Sequence, residues 1–349
     1  TISESGIEAS GIGITVANIN GTQVGGRRNI LNNSEFSINQ RGDSSVAISD
    51  GNFPCDRWKI ANNGTLTGTA AVDSTTPTID SNNFMRSIKV TSTSTTAASS
   101  AGDYAAIGQR LERNDAASFG WGTSNAQDVT LSFYVRSSKT GIFSAYLIGG
   151  DGFNRTFTFE YTIASANTWQ KVVKTISGDT GGSWTYSSDN TIGLGLNFVL
   201  ENLGSGAGTT SSLNSWQAGN NYAGSTNQVN LFDTNGATFY ITGIQLEIGS
   251  VATDFEHRSF GDELTRCQRY YYAAFPLNSQ GAAIAVVGEY ATSFNFSVIQ
   301  FPCTMRTAPT GEIVNGSNYV KLFNPLDTAG RGCASVTVGE ATPQSSRLF

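Results

Sequence analysis

The chain has 349 residues, a net charge of −6 and only 14% charged residues, against roughly 25% in an average soluble domain. It contains no block of Lys and Arg, which excludes an electrostatic footprint for nucleic acid. No apolar run approaches the roughly 20 residues that a membrane-spanning helix needs, so we expect no membrane insertion.

The first 28 residues are rich in Gly, with isolated Ile and Val, and hold too few apolar side chains for a core of their own. Such a segment is either a linker or a region ordered by pairing with neighbouring chains. The Gly-Gly-Arg-Arg run at its end marks a boundary, so we predict a shaft or linker over residues 1–28.

Residues 29–258 show short strand patterns between clusters of turn residues. In "TFTFEYTI", the side chains of Phe157, Phe159, Tyr161 and Ile163 alternate with polar ones, which is the period-two pattern of an antiparallel strand. "TLSFYV" and "GLGLNFVL" show similar alternation. "TFYITGIQLEI" predicts one face carrying Tyr240, Ile244, Leu246 and Ile248. About ten such strands without a long helical pattern predict an all-β jelly-roll β-sandwich.

The stretch "FEHRSFGDELTRCQRYYY" (residues 255–272) differs from its surroundings because charged residues are concentrated in it. Ser259 and Asp262 have the spacing of a helix N-cap. An apolar stripe at helical spacing then predicts one short helix packed against β structure, within a connecting segment 259–275. The stripe consists of Phe260, Leu264, Cys267 and Tyr271. Strand patterns after it predict a small β subdomain over residues 276–349.

Few groups suited to catalysis or cofactor binding are present. His257 is the single histidine, and its neighbours favour structural packing over a catalytic role. No cofactor-binding phosphate loop occurs. No CxxC pair occurs either, so we expect no metal site and predict buried free thiols for the four cysteines. They are Cys55, Cys267, Cys303 and Cys333. A pair of carboxylates for polysaccharide cleavage stays open, because Asp and Glu number 27.

Aromatic residues in two polar loops suggest a carbohydrate site. Sugars present CH faces that stack on aromatic rings, while Asn and Gln bond their hydroxyls. The candidate residues are Trp184, Tyr186, Trp216, Asn220 and Tyr222. The alternative is that these aromatics pin long loops to the sandwich or lie in a subunit interface. Trp58 and Trp169 are flanked by strand patterns and are predicted to lie in the core.

Several stretches, in the same order along the chain, resemble a domain common in phage tail-fibre and tailspike proteins, many of them from marine phages and cyanophages. The resemblance covers roughly residues 10–310. Its stretches are "RRNILNNSEFSINQRG", "DRWKI", "IGQRLE", "FGWGTSNAQDVTLSFYVRSSKTG", "YTIASANTWQKVVKTISGDTGGSW", "WQAGNNYAG", "NGATFYITGIQLEIGSVATDFEHRSFGDELTRCQRYYY" and "FPCTMRTAPT".

The central part is also similar to carbohydrate-binding modules of the jelly-roll type. Those modules often begin with an "N…NG.FE" strand and end with "FYIDDVSLE", where "NNSEF" and "FYITGIQLE" stand here. In such modules, an early acid and the Asp pair help to hold a structural calcium ion. This chain retains Glu35 but has Thr242 and Gly243 in place of the Asp pair, so hard oxygen ligands are lost.

The resemblance implies a homotrimeric virion fibre component, exposed to the extracellular medium and facing the host surface. Its N-terminus would join other tail or baseplate proteins, and its sandwich would recognise host cell-surface glycan without catalysis. Two alternatives remain. One is a depolymerase tailspike that cuts polysaccharide with a carboxylate pair, and the other is a purely structural fibre or adaptor component.

Overall fold

The computed structural model describes the backbone and side chains of seven ranges: residues 27–94, 102–186, 190–202, 208–220, 223–273, 298–310 and 341–345. Outside these ranges it describes only the backbone of short strands. Near the N-terminus these are two hairpins, formed by β1 (Ile2–Ser3) with β2 (Gly6–Ile7) and by β3 (Asn18–Ile19) with β4 (Thr22–Gln23).

Twelve strands of the described region build two antiparallel sheets. They are β5 (Val46–Ala47), β6 (Lys59–Asn63), β7 (Gly68–Asp73), β8 (Ser87–Ser92), β9 (Tyr104–Glu112), β10 (Val129–Ser137), β11 (Gly141–Gly149), β12 (Arg155–Ile163), β13 (Gln170–Ile176), β14 (Ile192–Asn202), β15 (Trp216–Ala218) and β16 (Thr238–Ile248). The first sheet has the order β13-β10-β16-β8-β7-β5, and the second β15-β12-β11-β14-β9-β6. Short helices interrupt the connections at α1 (Arg113–Ala116), Ala117–Phe119 and Asp151–Phe153.

The two sheets pack face to face around an aromatic core. Phe133 of the first sheet contacts Phe198 and Tyr161 of the second edge-to-face, with ring centroids 4.9 and 5.1 Å apart. Trp58 is fully buried and donates from Nε1 to the carbonyl of Asn33 over 2.9 Å. Edge-to-face aromatic pairs add about 0.5–1.5 kcal/mol each to the gain from burial. The fold is therefore an all-β jelly-roll β-sandwich, as the strand patterns predict. Trp58 lies in the core as predicted, while Trp169 is half-buried.

Strand β16 contains a β-bulge. Ser132 of β10 pairs with Gln245, but Tyr134, two residues further on, pairs with Thr242, so β16 carries one extra residue between these pairs. Gly243 lies in the bulge and has φ of +58°, in the left-handed region that favours glycine.

The predicted face of Tyr240 is wrong, because the bulge places its side chain on the opposite side of the sheet. An extra residue shifts the alternation of side chains by one position. Leu131 and Val135 lie on one face of β10, and their partners across the bulge are Leu246 and Ile241. Ile241 therefore shares the core face with Leu246, and Tyr240 points to the opposite face, near the side chain of Arg136. A strict period of two cannot detect such a change of register.

The second compact unit combines residues 38–44 and 55–57 with the chain from Arg258 onward. Its helix is α2 (Phe260–Gln268). Its strands are β17 (Gly288–Ala291), β18 (Phe294–Gln300), β19 (Lys321–Leu322), β20 (Arg331–Gly332), β21 (Val338–Gly339) and β22 (Ser345–Leu348). No helix within the described ranges is long and apolar enough to cross a membrane.

Helix α2 begins as predicted. The side chain of Ser259 accepts a hydrogen bond from the backbone N–H of Asp262 over 3.3 Å, which caps the helix. The predicted apolar stripe is wrong at Phe260, whose side chain is 64% exposed. Glu263 is buried instead, because Arg258 pairs with it over 3.2 Å and compensates its charge.

Two arginines of the second unit cover tyrosine rings that follow α2. The Arg41 guanidinium carbon lies 3.5 Å from the centroid of Tyr271, and that of Arg57 lies 3.4 Å from Tyr270. Arg41 also pairs with the buried Asp56 over 3.0 Å. These contacts connect residues 38–44 and 55–57 to the segment that follows the helix, and cation–π pairs of this kind contribute about 0.5–2 kcal/mol.

The cysteines of the described region are free thiols. Cys55 and Cys267 are fully buried, Cys303 is half-buried, and Cys333 lies outside the described residues. Burial raises the pKa of the Cys267 thiol far above its ordinary value, with the nearby Asp56 carboxylate adding to the effect.

We expect a Cys333→Ser variant to show one reactive thiol in the native state, Cys303, whose reaction is slowed because burial raises its pKa. Cys55 and Cys267 should react only on unfolding, because they are inaccessible and the raised pKa of Cys267 leaves it almost no thiolate at neutral pH. Ellman's reagent measures this, and concentrated urea should release all three thiols. Fast labelling of all three in native buffer would contradict the packing around α2.

Candidate functional site

Three tryptophans meet at one end of the sandwich. Trp121 follows strand β9, Trp184 lies between β13 and β14, and Trp216 begins β15. The ring centroids of Trp121 lie 5.2 Å from Trp184 and 4.9 Å from Trp216, and those of Trp184 and Trp216 are 5.7 Å apart. Trp121 is fully buried, while the other two are half-buried. The structure therefore brings two of the predicted residues together around a third that the sequence analysis did not single out.

The indole N–H groups of this tryptophan cluster are all bonded within the protein. Trp121 donates to the carbonyl of Gln127 over 2.8 Å, and Trp216 to that of Ser177 over 2.8 Å. Trp184 donates to Oδ2 of Asp179 over 2.9 Å. A ligand therefore gains no hydrogen bond from these donors, and the cluster serves to hold the loops in place.

Asp179 is the centre of the loop that carries Trp184. Its side chain is 2% exposed. The carboxylate accepts hydrogen bonds from Nε and Nη2 of Arg155, each over 2.7 Å, in a bidentate pair. It also accepts the backbone N–H of Gly181 over 3.1 Å. The hydrogen bonds to Asp179 raise the pKa of Arg155 above its usual value. Four donors fill the carboxylate, so the loop is fixed before any ligand arrives.

A small, shallow cleft borders the cluster and encloses only about 10 Å³, so a ligand would lie over it rather than inside it. It is lined by Arg113, Gly150, Asp151, Trp184, Thr185, Tyr186 and Gly193. Tyr186 donates from its hydroxyl to the carbonyl of Trp121 over 3.2 Å, and burial raises the pKa of this phenol to about 12. The cleft thus combines two aromatic rings with charged and hydroxyl groups.

Asp151 organises the polar side of the cleft. It accepts the backbone N–H of Thr185 over 3.0 Å, the Thr185 hydroxyl over 2.8 Å and the Ser183 hydroxyl over 2.5 Å. Nη2 of Arg113 lies 3.4 Å from Oδ1. The bonds from Ser183 and Thr185 hold the pKa of Asp151 below its ordinary value, so this carboxyl is ionised at neutral pH.

The remaining predicted site residues follow Trp216. Asn220 is exposed in the turn after β15, where the neighbouring Gly219 donates its N–H to the carbonyl of Asn154 over 2.6 Å. Tyr222 lies outside the described residues. The assignment of Trp184, Tyr186, Trp216, Asn220 and Tyr222 to a carbohydrate site stays a prediction.

His257 packs in the sandwich unit. Its Nδ1 lies 3.0 Å from Oε2 of Glu35, and its ring contacts Phe255 and Phe84 at centroid distances of 5.0 and 5.7 Å. The resemblance to carbohydrate-binding modules places Glu35 where those modules have an early acid, and in this chain its carboxylate contacts the His257 ring.

The residues in place of the motif's Asp pair do not fit a calcium ion. Thr242 is fully buried and donates its hydroxyl to the carbonyl of Arg86 over 2.7 Å, and Gly243 has no side chain. Within the described ranges, no group of three or more His, Cys, Asp or Glu residues is placed to hold a metal.

The sequence patterns do not reveal a row of paired residues on the outer face of the second sheet. Tyr146, Asn197 and Gly108 pair across neighbouring strands, and the Tyr146 hydroxyl contacts that of Tyr104 over 2.8 Å. Asn197 is 3% exposed, and its Nδ2 has no hydrogen-bond partner within the described part of the chain. Gly and Asn alternating with apolar residues in "GLGLNFVL" were the available signal. The row is buried, because Tyr104 and Tyr146 belong to an apolar cluster with Ala106, Ile148 and Val199, so the Asn197 amide is not presented to a ligand.

No protein-family model and no curated protein matches the chain. Solved structures similar to it include the enzymatically active domain of tailspike protein 4 of bacteriophage CBA120, at 12% identity and a TM-score of 0.35. That match covers 63% of this chain and 21% of the tailspike chain, so the present chain spans about a fifth of the tailspike's length.

Two smaller proteins are also similar. One is the family 11 carbohydrate-binding module of a cellulosomal cellulase of Clostridium thermocellum, at 12% identity and a TM-score of 0.30, over 61% of this chain and 98% of that one. The other is a putative sugar binding protein from Bacteroides thetaiotaomicron, at 14% identity and a TM-score of 0.31, over 63% of this chain and all of that one.

Proposed function

We propose that this chain is a non-catalytic carbohydrate-binding protein that recognises host cell-surface glycan. The observation that carries the proposal is the cleft in which the rings of Trp184 and Tyr186 adjoin Arg113, Asp151 and Thr185. Aromatic walls pack against the CH faces of a sugar, while charged and hydroxyl groups exchange hydrogen bonds with its hydroxyls.

We further propose that the glycan-binding sandwich belongs to a virion tail fibre exposed to the extracellular medium. The support is the set of collinear motifs shared with tail-fibre and tailspike proteins. A homotrimer would carry three copies of a weak site. Once one site has bound, the other two are held at a high effective concentration near the glycan, which raises the overall avidity. The Gly-rich N-terminal segment would join other tail or baseplate proteins. Light scattering tests the assembly, since a monomer at micromolar concentration contradicts the fibre role.

Binding without cleavage agrees with the chemistry of the cleft. A glycosidase needs a protonated carboxyl as general acid beside a second carboxylate. Asp151 is the single carboxylate among the residues that line the cleft, and its lowered pKa keeps it ionised. Asp56 has a raised pKa because of burial, but its carboxylate is 1% exposed and belongs to the second unit. New reducing ends after incubation with host polysaccharide would contradict a purely binding role.

Tyr186→Ala is expected to weaken glycan binding about tenfold, because one stacking ring contributes about 1–1.5 kcal/mol. Glycan-array binding followed by titration calorimetry measures the change. Tyr186→Phe keeps the ring and removes only the bond to the carbonyl of Trp121, so it should bind within about twofold of the original protein.

Phe260→Ala supplies the matched control. It removes an exposed aromatic ring from the second unit and is expected to leave glycan binding unchanged. If Tyr186→Ala retains full affinity while remaining folded, the cleft is not the glycan site.

A further inference from the structure

The charges of the cleft cancel. Arg113 is the single basic residue among those that line it, and Asp151 pairs with it over 3.4 Å. Their side chains are 22% and 30% exposed, so both lie at the cleft surface.

The next positive charge beside the cleft is also compensated. The Arg155 side chain lies beside Gly150 and Gly182 and donates two N–H groups to Asp179 in the bidentate pair. Its guanidinium is therefore committed to a buried carboxylate. Among the residues that line the cleft, an anionic ligand would therefore meet no cation without a carboxylate partner, and the chain as a whole carries −6.

The groups that remain available to a ligand are polar, and their net charge is zero because Arg113 and Asp151 compensate each other. The hydroxyls of Ser183 and Thr185 donate to Asp151, which leaves their oxygen lone pairs as acceptors on exposed side chains. Arg113 carries five N–H donors in a planar fork, and its ion pair with Asp151 uses one nitrogen. Donors and acceptors thus surround one carboxylate, and such a mixture can exchange hydrogen bonds with the hydroxyls of a sugar ring.

We infer that the cleft takes a neutral sugar unit bearing adjacent hydroxyls, and that it discriminates against uronate, sulfate and phosphate groups. This inference rests on the proposed glycan-binding function and names the ligand class for the same site. An anion placed there loses hydration without gaining an ion pair, whereas hydroxyls exchange one set of hydrogen bonds for another.

The test is binding of the full chain to an array that contains neutral glycans and glycans bearing uronate, sulfate or phosphate. We expect binding to neutral members, with affinity that changes less than twofold between about 50 mM and about 500 mM NaCl. Preference for anionic members, weakened by salt, would overturn the inference and leave the glycan-binding function intact. Binding to no member would contradict both.

Asp151→Asn tests the role of charge cancellation directly. Asn keeps an acceptor for Thr185 and removes the negative charge, so the guanidinium of Arg113 becomes uncompensated. We expect affinity for a uronate-bearing glycan to rise about tenfold at low salt and to fall as salt increases. Asp233→Asn changes the net charge equally at the Lys139 pair and should produce no such gain.

The double variant Arg113→Gln with Asp151→Asn separates charge from loop damage. It removes both members of the pair, so the gain for uronate should disappear while the salt dependence returns to that of the original protein. If Asp151→Asn gains no affinity for anions although calorimetry shows it folded, charge cancellation does not set the ligand class and the inference fails.

Discussion

Replacing Asp179 by Ala is expected to lower the free energy of unfolding by about 3–5 kcal/mol, because it leaves the Arg155 guanidinium buried without its partner. The Arg155 side chain is 14% exposed, so water does not readily replace the two lost hydrogen bonds. The same change removes the acceptor of the Trp184 indole N–H. Urea denaturation followed by circular dichroism measures the loss.

A matched surface pair shows how much of this loss depends on burial. Asp233 pairs with Lys139, and the two side chains are 37% and 21% exposed. Asp233→Ala should cost less than about 1 kcal/mol, since water screens a pair at the surface. Equal losses for the two variants would show that Asp179 is not a buried anchor.

A spectroscopic signal separates loss of the loop from general destabilisation. In native buffer, Asp179→Ala should shift tryptophan emission to longer wavelength, because Trp184 loses its acceptor and the loop opens to water. The three indoles of the tryptophan cluster have centroids 4.9–5.7 Å apart, close enough for exciton coupling between them. The circular dichroism signal from this coupling should weaken in Asp179→Ala. Asp233→Ala should leave both signals unchanged. Unaltered spectra for Asp179→Ala would contradict the positioning role of Asp179.

Local patterns account for the parts of the fold that the sequence predicts well. Alternation in "TFTFEYTI" identifies β12 because Phe157, Phe159 and Tyr161 all face the core between the sheets. Ser259 and Asp262 predict the start of α2 because a cap needs only residues three apart. Strand alternation and helix capping both depend on residues that are close together in the sequence, so they can be recognised without knowledge of the fold.

Other features depend on contacts between distant residues. The burial of Glu263 in place of Phe260 follows from its pairing with Arg258, which a stripe of apolar residues does not reveal. In the cleft, Trp184 and Tyr186 were singled out by their loop composition. Arg113 and Asp151 belong to two other connections, and antiparallel strands bring them to the same end of the sandwich. No spacing in sequence predicts that meeting.

Gly243 is the position where the fold tolerates a side chain least. A Cβ atom there would lie 2.4 Å from Cζ of Phe84 and 2.8 Å from Cδ2 of Tyr134, both aromatic ring atoms. Its φ of +58° adds strain for any residue with a Cβ. Gly243→Ala should therefore destabilise the protein by about 2–5 kcal/mol, from about 1–2 for the backbone and about 1–3 for overpacking. Urea denaturation measures this loss.

Gly236 separates the two contributions. Its φ is +78°, and a Cβ atom there would meet nothing within 4 Å. Gly236→Ala should therefore show only the backbone cost of about 1–2 kcal/mol. The difference between the two variants then measures how tightly Phe84 and Tyr134 close over the bulge. If the two losses are equal, the rings move aside, and the bulge survives on backbone conformation alone. A larger loss at Gly243 means that Phe84 and Tyr134 pack closely over the bulge and leave no space for a side chain.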